Sequence, residues 1–301
     1  MNVVMEGVLP PFTLNLWQDV QALLQYDFMR QALLAGTVLS IVAGLVGYFV
    51  VLRHLAFAGE SLSDVAFTGA LGGAAFGINP LTGLLVATIT VALAMGAFGE
   101  RLRGRDVAIG TVLAWVLGLG VLFLSLFTAH VSGTGTGFSG VTVLFGNILG
   151  ISTGQTISIA IISGVVVVAL LIIARPLLFA SLDPDVAAAR GVPVRALGLG
   201  FMVLLAVTVS EATLAVGALL VFALLLLPAA IAHQITTRPY AALALAAGLA
   251  LALTWLGITA GFYTGYPSSV CISLLAFASY VGVVGSSQVG GWRGQLKRKP
   301  L

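Results

Sequence analysis

Long uncharged runs, separated by short polar segments, recur along the whole chain. One of them, residues 153–174, carries no charged side chain over a length that suffices to cross a bilayer. Of the 301 residues, 59% are hydrophobic and 8% are charged, and the mean hydropathy is +1.13. A soluble domain of this length would carry several times more charge. The sequence therefore predicts an all-α, polytopic membrane protein.

Polar breaks divide the apolar sequence into nine predicted spans. Asn79-Pro80 separates two of them, and Arg175-Pro176 ends another. The two spans around Glu211 are short for ordinary crossings, so a broken helix is expected between Glu211 and Gly217. The predicted spans are residues 29–52, 61–78, 80–99, 107–128, 153–174, 195–212, 214–233, 240–260 and 267–285.

Basic residues are distributed unevenly around these spans. If the N-terminus is extracytoplasmic and nine spans follow, 12 of the 13 basic residues fall on the cytoplasmic side, and only Arg30 lies outside. This is the asymmetry that the positive-inside rule describes. A count of eight spans would place Arg238 and the basic C-terminal segment on opposite sides of the membrane. Nine spans with a cytoplasmic C-terminus are therefore expected.

The sequence divides into three regions. Residues 1–28 are too polar to span and are expected to form an extracytoplasmic interfacial segment. Residues 29–285 hold the predicted spans and form the transmembrane domain, and residues 286–301 form a basic cytoplasmic tail. The single cysteine, Cys271, lies in an apolar run, which excludes a disulfide framework.

A polar island lies between two of the longest apolar segments. Asp183 is a favourable N-cap, and Pro184 follows at the first helical position, where its missing N–H costs nothing. Gly191 and Pro193 then stop the helix. These residues predict a helix of about two turns, roughly 10 Å long, on the cytoplasmic side. Such a capped helix is suited to dock a partner, although a plain connecting loop would also fit the sequence.

Glu60 and Asp64 are spaced four residues apart at the beginning of a glycine-rich predicted span. This spacing puts both carboxylates on one helix face. Inserting a carboxylate into a membrane costs a free energy of roughly 2.5–3.5 kcal/mol, so such a pair indicates a functional role or a position at the interface. The pair would bind a divalent cation or share a proton; alternatively, both groups are interfacial and Glu60 caps the helix.

Glu211 is a third carboxylate in an apolar setting. It is expected to face a translocation path, to pair with a group on a neighbouring span, or to lie at the outer interface. The three histidines, His54, His130 and His233, are dispersed and form no ligand pair.

Nucleotide binding by this chain alone is not expected. The sequence contains no G-x-x-x-x-G-K-[ST] motif, and it shows no nucleophile, histidine and acid set that would indicate a hydrolase. We therefore expect no enzyme activity from the isolated chain.

Four separated segments carry a resemblance to a known family. They are Tyr26–Gly36, Val51–Ser63, Asp183–Gly191, and Val216–Leu220 continuing to Leu227–Ala232. In this order they resemble permease subunits of the ATP-binding-cassette importers for zinc, manganese and related metals. The similarity spans about residues 26–285.

This resemblance implies a homodimer of permeases in a bacterial cytoplasmic membrane. It also implies two cytoplasmic ATPase subunits and an extracytoplasmic binding protein that delivers the metal. ATP would be hydrolysed on the separate ATPase, so this chain would hold no cofactor and would handle only the transported metal. No nucleic-acid partner is implied. The polar island would be the helix that couples to the ATPase, through Asp183, Pro184, Asp185, Ala187, Ala188, Arg190 and Gly191.

The expected metal ligands depart from the family pattern. Its members usually have an Asp and a His four residues apart at the start of the second span, where this chain has Glu60 and Asp64. Asp in place of His exchanges an imidazole for a hard oxygen ligand, which weakens the case for zinc and favours a metal such as manganese. Together with Glu211, these residues are the expected metal ligands.

Other functions remain compatible with the same residues. In a proton- or sodium-coupled secondary transporter, Glu60, Asp64 and Glu211 would titrate. A permease of the same architecture could carry a non-metal cargo, and a membrane scaffold would carry none.

Overall fold

The described part of the chain is helical. The computed structural model describes residues 25–98, 105–131 and 146–296, in which there are ten α-helices, one 3-10 turn and no strand. Most of the predicted interfacial segment and the end of the predicted tail lie outside these residues. The helices are α1 (Asp27–Leu52), α2 (Ala56–Ala75), α3 (Pro80–Phe98), α4 (Arg105–Val131), α5 (Thr153–Leu182), α6 (Pro184–Ala189), α7 (Val194–Val216), α8 (Ala218–Ile235), α9 (Pro239–Thr264) and α10 (Ser268–Leu296).

Six of the described helices are long and apolar enough to cross a bilayer, namely α1, α3, α5, α7, α9 and α10. Shorter apolar stretches occupy Leu113–Phe127 in α4 and Leu220–Ile235 in α8. The prediction of an all-α, multi-pass membrane protein is therefore confirmed. The described helices also follow the predicted spans in their order along the chain, and α6 occupies the polar island.

Three helix boundaries differ from the predicted ones by five residues or more. Helix α2 begins at Ala56 instead of residue 61, which places Glu60 and Asp64 within the helix. Helix α5 continues through Pro176 to Leu182, because Leu177, Leu178 and Ala180 are buried and hold its last turns in place. Helix α10 continues through residues 286–296, where the sequence analysis placed the beginning of the tail.

Helix α1 is at the centre of the bundle. Fifteen of its 26 residues are buried, and it packs against α5, α7, α8 and α9. Two of its glycines lie directly on neighbouring backbones. A Cβ atom at Gly44 would come within 2.7 Å of the Ala246 carbonyl oxygen, and one at Gly47 would collide with the Leu225 carbonyl group. Helix backbones can approach this closely only where no side chain intervenes.

Glycines recur every four residues at 69, 73 and 77 and at 257, 261 and 265, a spacing that predicts close helix packing. The structure confirms that packing at four of these positions. Gly69 and Gly73 lie against α3, and Gly257 and Gly261 lie against α10. Gly77 follows the end of α2 and has a φ of +70°, so this residue serves the turn into α3 and not the close packing. The glycine spacing also indicates that the second span is buried in the bundle, and most residues of α2 are buried.

The chain order fixes which helix ends lie together. Helix α5 runs towards α6, and α7 runs away from it. The first residues of α5 and the last residues of α7 therefore lie far from α6. We call the two ends of the bundle the α6 end and the distal end.

We expect Gly47→Ala to destabilise the protein by about 1–3 kcal/mol, the usual cost of overpacking a close contact. The added methyl group would force α1 and α8 apart, because its neighbour is backbone and not a flexible side chain. The measurement is the melting midpoint in detergent, followed by size-exclusion chromatography.

Gly164→Ala is the matched control. A Cβ atom at this position on α5 would meet nothing within 4 Å, and alanine favours the helix. Equal midpoints for the two variants would contradict the close packing at Gly47.

Candidate functional site

Helix α6 has the caps that the sequence predicts. Asp183 Oδ1 accepts a hydrogen bond from the Val186 N–H at 3.0 Å. Gly191 adopts a φ of +80°, and the Val192 N–H donates to the Ala187 carbonyl at 3.0 Å. Glycine is favoured at such a left-handed stop because it has no Cβ atom. The island is therefore a short helix with fixed ends.

The side chains of α6 divide into an inner and an outer face. Ala187 is fully buried against the bundle, whereas Asp183, Pro184, Asp185, Ala188, Arg190 and Gly191 are exposed. The Arg190 guanidinium lies 5.9 Å from the centre of the Phe179 ring on α5. Of the residues expected to contact an ATPase, Ala187 is thus placed to anchor the helix, and the others are accessible to a partner.

Glu60 and Asp64 lie on one face of α2. Glu60 is exposed in the single chain, and Asp64 is half-buried. Glu60 does not cap the helix, because α2 begins at Ala56 with Leu55 at the N-cap position. The exposed carboxylate therefore has no capping role.

A break between α7 and α8 lies beside this carboxylate pair. Ser63, which precedes Asp64, donates a hydrogen bond to the Ala218 carbonyl at 2.7 Å. Ala218 follows Gly217, whose φ of +88° and ψ of 149° end α7 and begin α8. Residues with side chains rarely adopt this conformation. The prediction of a broken helix between Glu211 and Gly217 is confirmed, with the break at Gly217.

Glu211 is buried between α5 and α7. Its side chain is 3% exposed, and its Oε2 atom accepts a hydrogen bond from Ser163 Oγ at 2.9 Å. Of the three alternatives for Glu211, the pairing with a neighbouring span is observed, and the side chain does not lie at an exposed interface. Sequence reasoning missed Ser163. Its only local signal is that it is one of few polar residues within a long apolar run.

A cavity of about 600 Å³ lies at the distal end and reaches Glu211. The N-terminal parts of α3 and α5, the C-terminal part of α7 and the segment before α5 form its wall. Its polar lining was not predicted from the sequence. Besides Glu211, the polar side chains of the lining are Asn79, Asn147, Ser152, Gln155 and Ser158.

The three expected metal ligands do not form one cluster in this chain. Glu60 and Asp64 share a face of α2, whereas Glu211 lines the cavity without them. Among the described residues, no group of three or more His, Cys, Asp or Glu side chains is arranged to hold a metal ion. His233 stacks on the Tyr48 ring with 4.6 Å between centroids, and His54 lies in the exposed turn between α1 and α2.

The chain is similar in sequence to membrane proteins of known transport systems. The chain is 31% identical over 234 residues to the manganese transport system membrane protein MntC of Halalkalibacterium halodurans, covering 77% of this chain and 78% of the relative. It is 28% identical over 269 residues to a probable iron transport system membrane protein of Haemophilus influenzae, covering 88% and 96%.

A solved structure shares the fold of this chain, and a protein family matches most of its length. The structure of PsaBC from Streptococcus pneumoniae in complex with Fab gives a TM-score of 0.77 at 24% identity and covers 89% of this chain and 95% of that chain, which shows a shared fold. The ABC 3 transport family matches residues 25–286, which contain α1 to α9, most of α10, the capped helix and all three carboxylates. The chain therefore belongs to the ABC 3 transport family.

Proposed function

We propose that this chain is the permease subunit of an ATP-driven importer of divalent transition-metal ions. The observation that carries this proposal is the family match over residues 25–286, which includes the capped helix α6. The named relatives belong to manganese and iron transport systems. The chain would work with a separate ATPase and a binding protein, and it would not hydrolyse ATP itself.

Manganese is the preferred cargo, with zinc and iron as alternatives. The carboxylates of Glu60 and Asp64 offer only oxygen ligands. Carboxylate and water oxygens are ligands that suit Mn²⁺, whereas the imidazole of histidine suits zinc and iron. An oxygen pair without histidine therefore favours manganese, in agreement with the system named for the MntC relative.

We further propose nine spans in a bacterial cytoplasmic membrane. The described chain contains nine helices of 18 residues or more, and α6 is the tenth and shortest. With the N-terminus outside, 12 of 13 basic residues would lie on the cytoplasmic side, and α6 would face the cytoplasm. The cavity at the distal end would then face outward.

A second copy of the chain is proposed to cover the carboxylates of α2. Glu60 is exposed on α2 in the single chain, and an ionised carboxylate facing lipid costs roughly 2.5–3.5 kcal/mol on insertion scales. In a homodimer, the Glu60 and Asp64 pairs of the two copies would line a shared path. Four carboxylates would then coordinate the metal transiently as it crosses.

The exposed face of α6 is proposed to dock in a cleft of the ATPase. Ala187 anchors the helix to the bundle, so a movement imposed on α6 would pass directly to α5 and α7. Nucleotide-driven closure of the ATPase would thereby shift the permease between outward-facing and inward-facing states.

The decisive experiment is uptake into proteoliposomes that hold this chain with its ATPase and binding protein. ATP would be enclosed, and Mn²⁺, Zn²⁺ or Fe²⁺ would be supplied outside. We expect ATP-dependent uptake, with Mn²⁺ preferred. Uptake driven by a proton or sodium gradient without ATP would instead support a secondary transporter, and ATP hydrolysis without uptake of any of the three metals would exclude a metal cargo.

Ala188→Arg should reduce ATP-dependent uptake by about tenfold or more, which corresponds to about 1.4 kcal/mol of lost docking free energy. Ala188 is exposed on α6, and a bulky charged side chain there would obstruct close docking. Co-purification of the ATPase should fall in parallel. Thr237→Arg places the same charge on an exposed loop at the α6 end and serves as the control. Normal uptake by Ala188→Arg would contradict the docking role.

Glu60→Gln combined with Asp64→Asn should lower metal uptake by about tenfold or more, equivalent to about 1.4 kcal/mol of lost stabilisation. The substitutions keep the side-chain shapes and remove both negative charges. Expression and the melting midpoint should stay unchanged. Asp27→Asn removes an exposed carboxylate at the distal end and is the charge control. If the double variant takes up metal as the wild type does, the pair has a structural role and does not bind the metal.

A further inference from the structure

Only one of the two carboxylate oxygens of Glu211 has a hydrogen-bond partner. Ser163 donates to Oε2, whereas Oε1 is buried and has no hydrogen-bond partner. No Lys, Arg or His side chain lines the surrounding cavity in the described part of the chain. A buried carboxylate in this setting lacks the compensating charge that an ionised group requires.

The size and the lining of the cavity allow a cation to bind there and to compensate the negative charge. Its volume of about 600 Å³ has room for a hydrated cation, since liquid water takes about 30 Å³ per molecule. Amide and hydroxyl groups of Asn147, Ser152, Gln155 and Ser158 line the same space. Ser152 and Gln155 also cap α5, since Gln155 Oε1 accepts from the Ser152 N–H and Ser152 Oγ accepts from the Gln155 N–H. The four neutral side chains place oxygen atoms around the cavity and add no positive charge that would repel a cation.

The donor set defines the class of ligand. One carboxylate surrounded by amide, hydroxyl and water oxygens suits a hard divalent cation such as Mn²⁺. A single negative charge gives weak and rapidly reversible binding, in contrast to a closed structural site. Such binding is appropriate for a cation in transit.

We infer that Glu211, positioned by Ser163, forms an outer binding station for divalent cations in the distal cavity, separate from the Glu60 and Asp64 pair. This inference rests on the proposed import function and on the outward orientation of the cavity. An incoming cation would reach Glu211 first and the carboxylates of α2 afterwards. The chain would then hold its cargo at two successive positions.

Equilibrium Mn²⁺ binding tests this inference without transport. The permease with its ATPase is placed in lipid nanodiscs without nucleotide or binding protein, and free Mn²⁺ is followed by electron paramagnetic resonance. The proteins compared are the wild type, Glu211→Gln, Glu60→Gln with Asp64→Asn, all three substitutions together, and Asp27→Asn as the charge control. Glutamine retains the acceptor for Ser163, so the local packing is preserved.

We expect Glu211→Gln to lose one class of Mn²⁺ sites, with an affinity decrease there of about tenfold or more. The double variant on α2 should retain that class, the triple variant should lose both, and Asp27→Asn should bind as the wild type does. The inference is overturned if Glu211→Gln binds like the wild type. It is also overturned if the double variant, in which Glu211 is intact, binds no Mn²⁺, an outcome that does not depend on the folding of Glu211→Gln.

Uptake and binding distinguish this inference from the proposed function. Absence of ATP-dependent metal uptake by the wild type would overturn the import function, while Glu211-dependent Mn²⁺ binding in the same preparation would still support the cation station. Normal uptake with no Glu211-dependent binding would overturn the station and leave the import function supported.

Discussion

The direct contact of α1 with the backbones of α8 and α9 is the constraint on which the rest of the bundle depends. Gly44 lies on Ala246 and Ala247 of α9, and Gly47 lies on Leu225 of α8. Within a membrane the hydrophobic effect does not drive helices together, because lipid tails are as apolar as the side chains. Close van der Waals packing therefore has to stabilise their association. These two glycines allow that packing at the centre of the molecule and hold α8 beside α1.

The position of α8 in turn determines where the helix break lies. Because α8 begins directly after Gly217, its first carbonyl group accepts the hydrogen bond from Ser63 on α2. The break therefore connects α2, which carries Glu60 and Asp64, with α7, which carries Glu211. Gly146 also packs against Val216 and Gly217, so the segment before α5 meets the same point.

Two of the candidate functional features lie at opposite ends of the bundle. Helix α6 presents exposed side chains at one end, and the cavity with Glu211 lies at the distal end. Helices α5 and α7 connect them, since both run between α6 and the cavity wall. This division suits a transporter in which energy is supplied on one side of the membrane and cargo on the other, as proposed for this member of the ABC 3 transport family.

Much of the architecture is encoded locally and was predictable. Apolar runs set the helices, Asp183 and Gly191 set the limits of α6, and the glycine spacing in α2 and α9 marks close packing. The predicted end of α5 was wrong because it depended on Pro176 alone, a local signal for the end of a helix. Burial of Leu177 and Leu178 against other helices maintains the last turns. The early start of α2 was missed because the polar residues Glu60, Ser61 and Ser63 obscure an apolar pattern.

The sequence by itself determined that this chain is a multi-pass helical protein with a capped polar helix and three carboxylates in apolar surroundings. Only the tertiary structure decided which groups those carboxylates meet. Ser163 is 48 residues from Glu211, and Ser63 is 155 residues from Ala218. Hydrogen bonds over such separations depend on how whole helices pack, whereas caps and apolar periodicity act within a few residues of the chain.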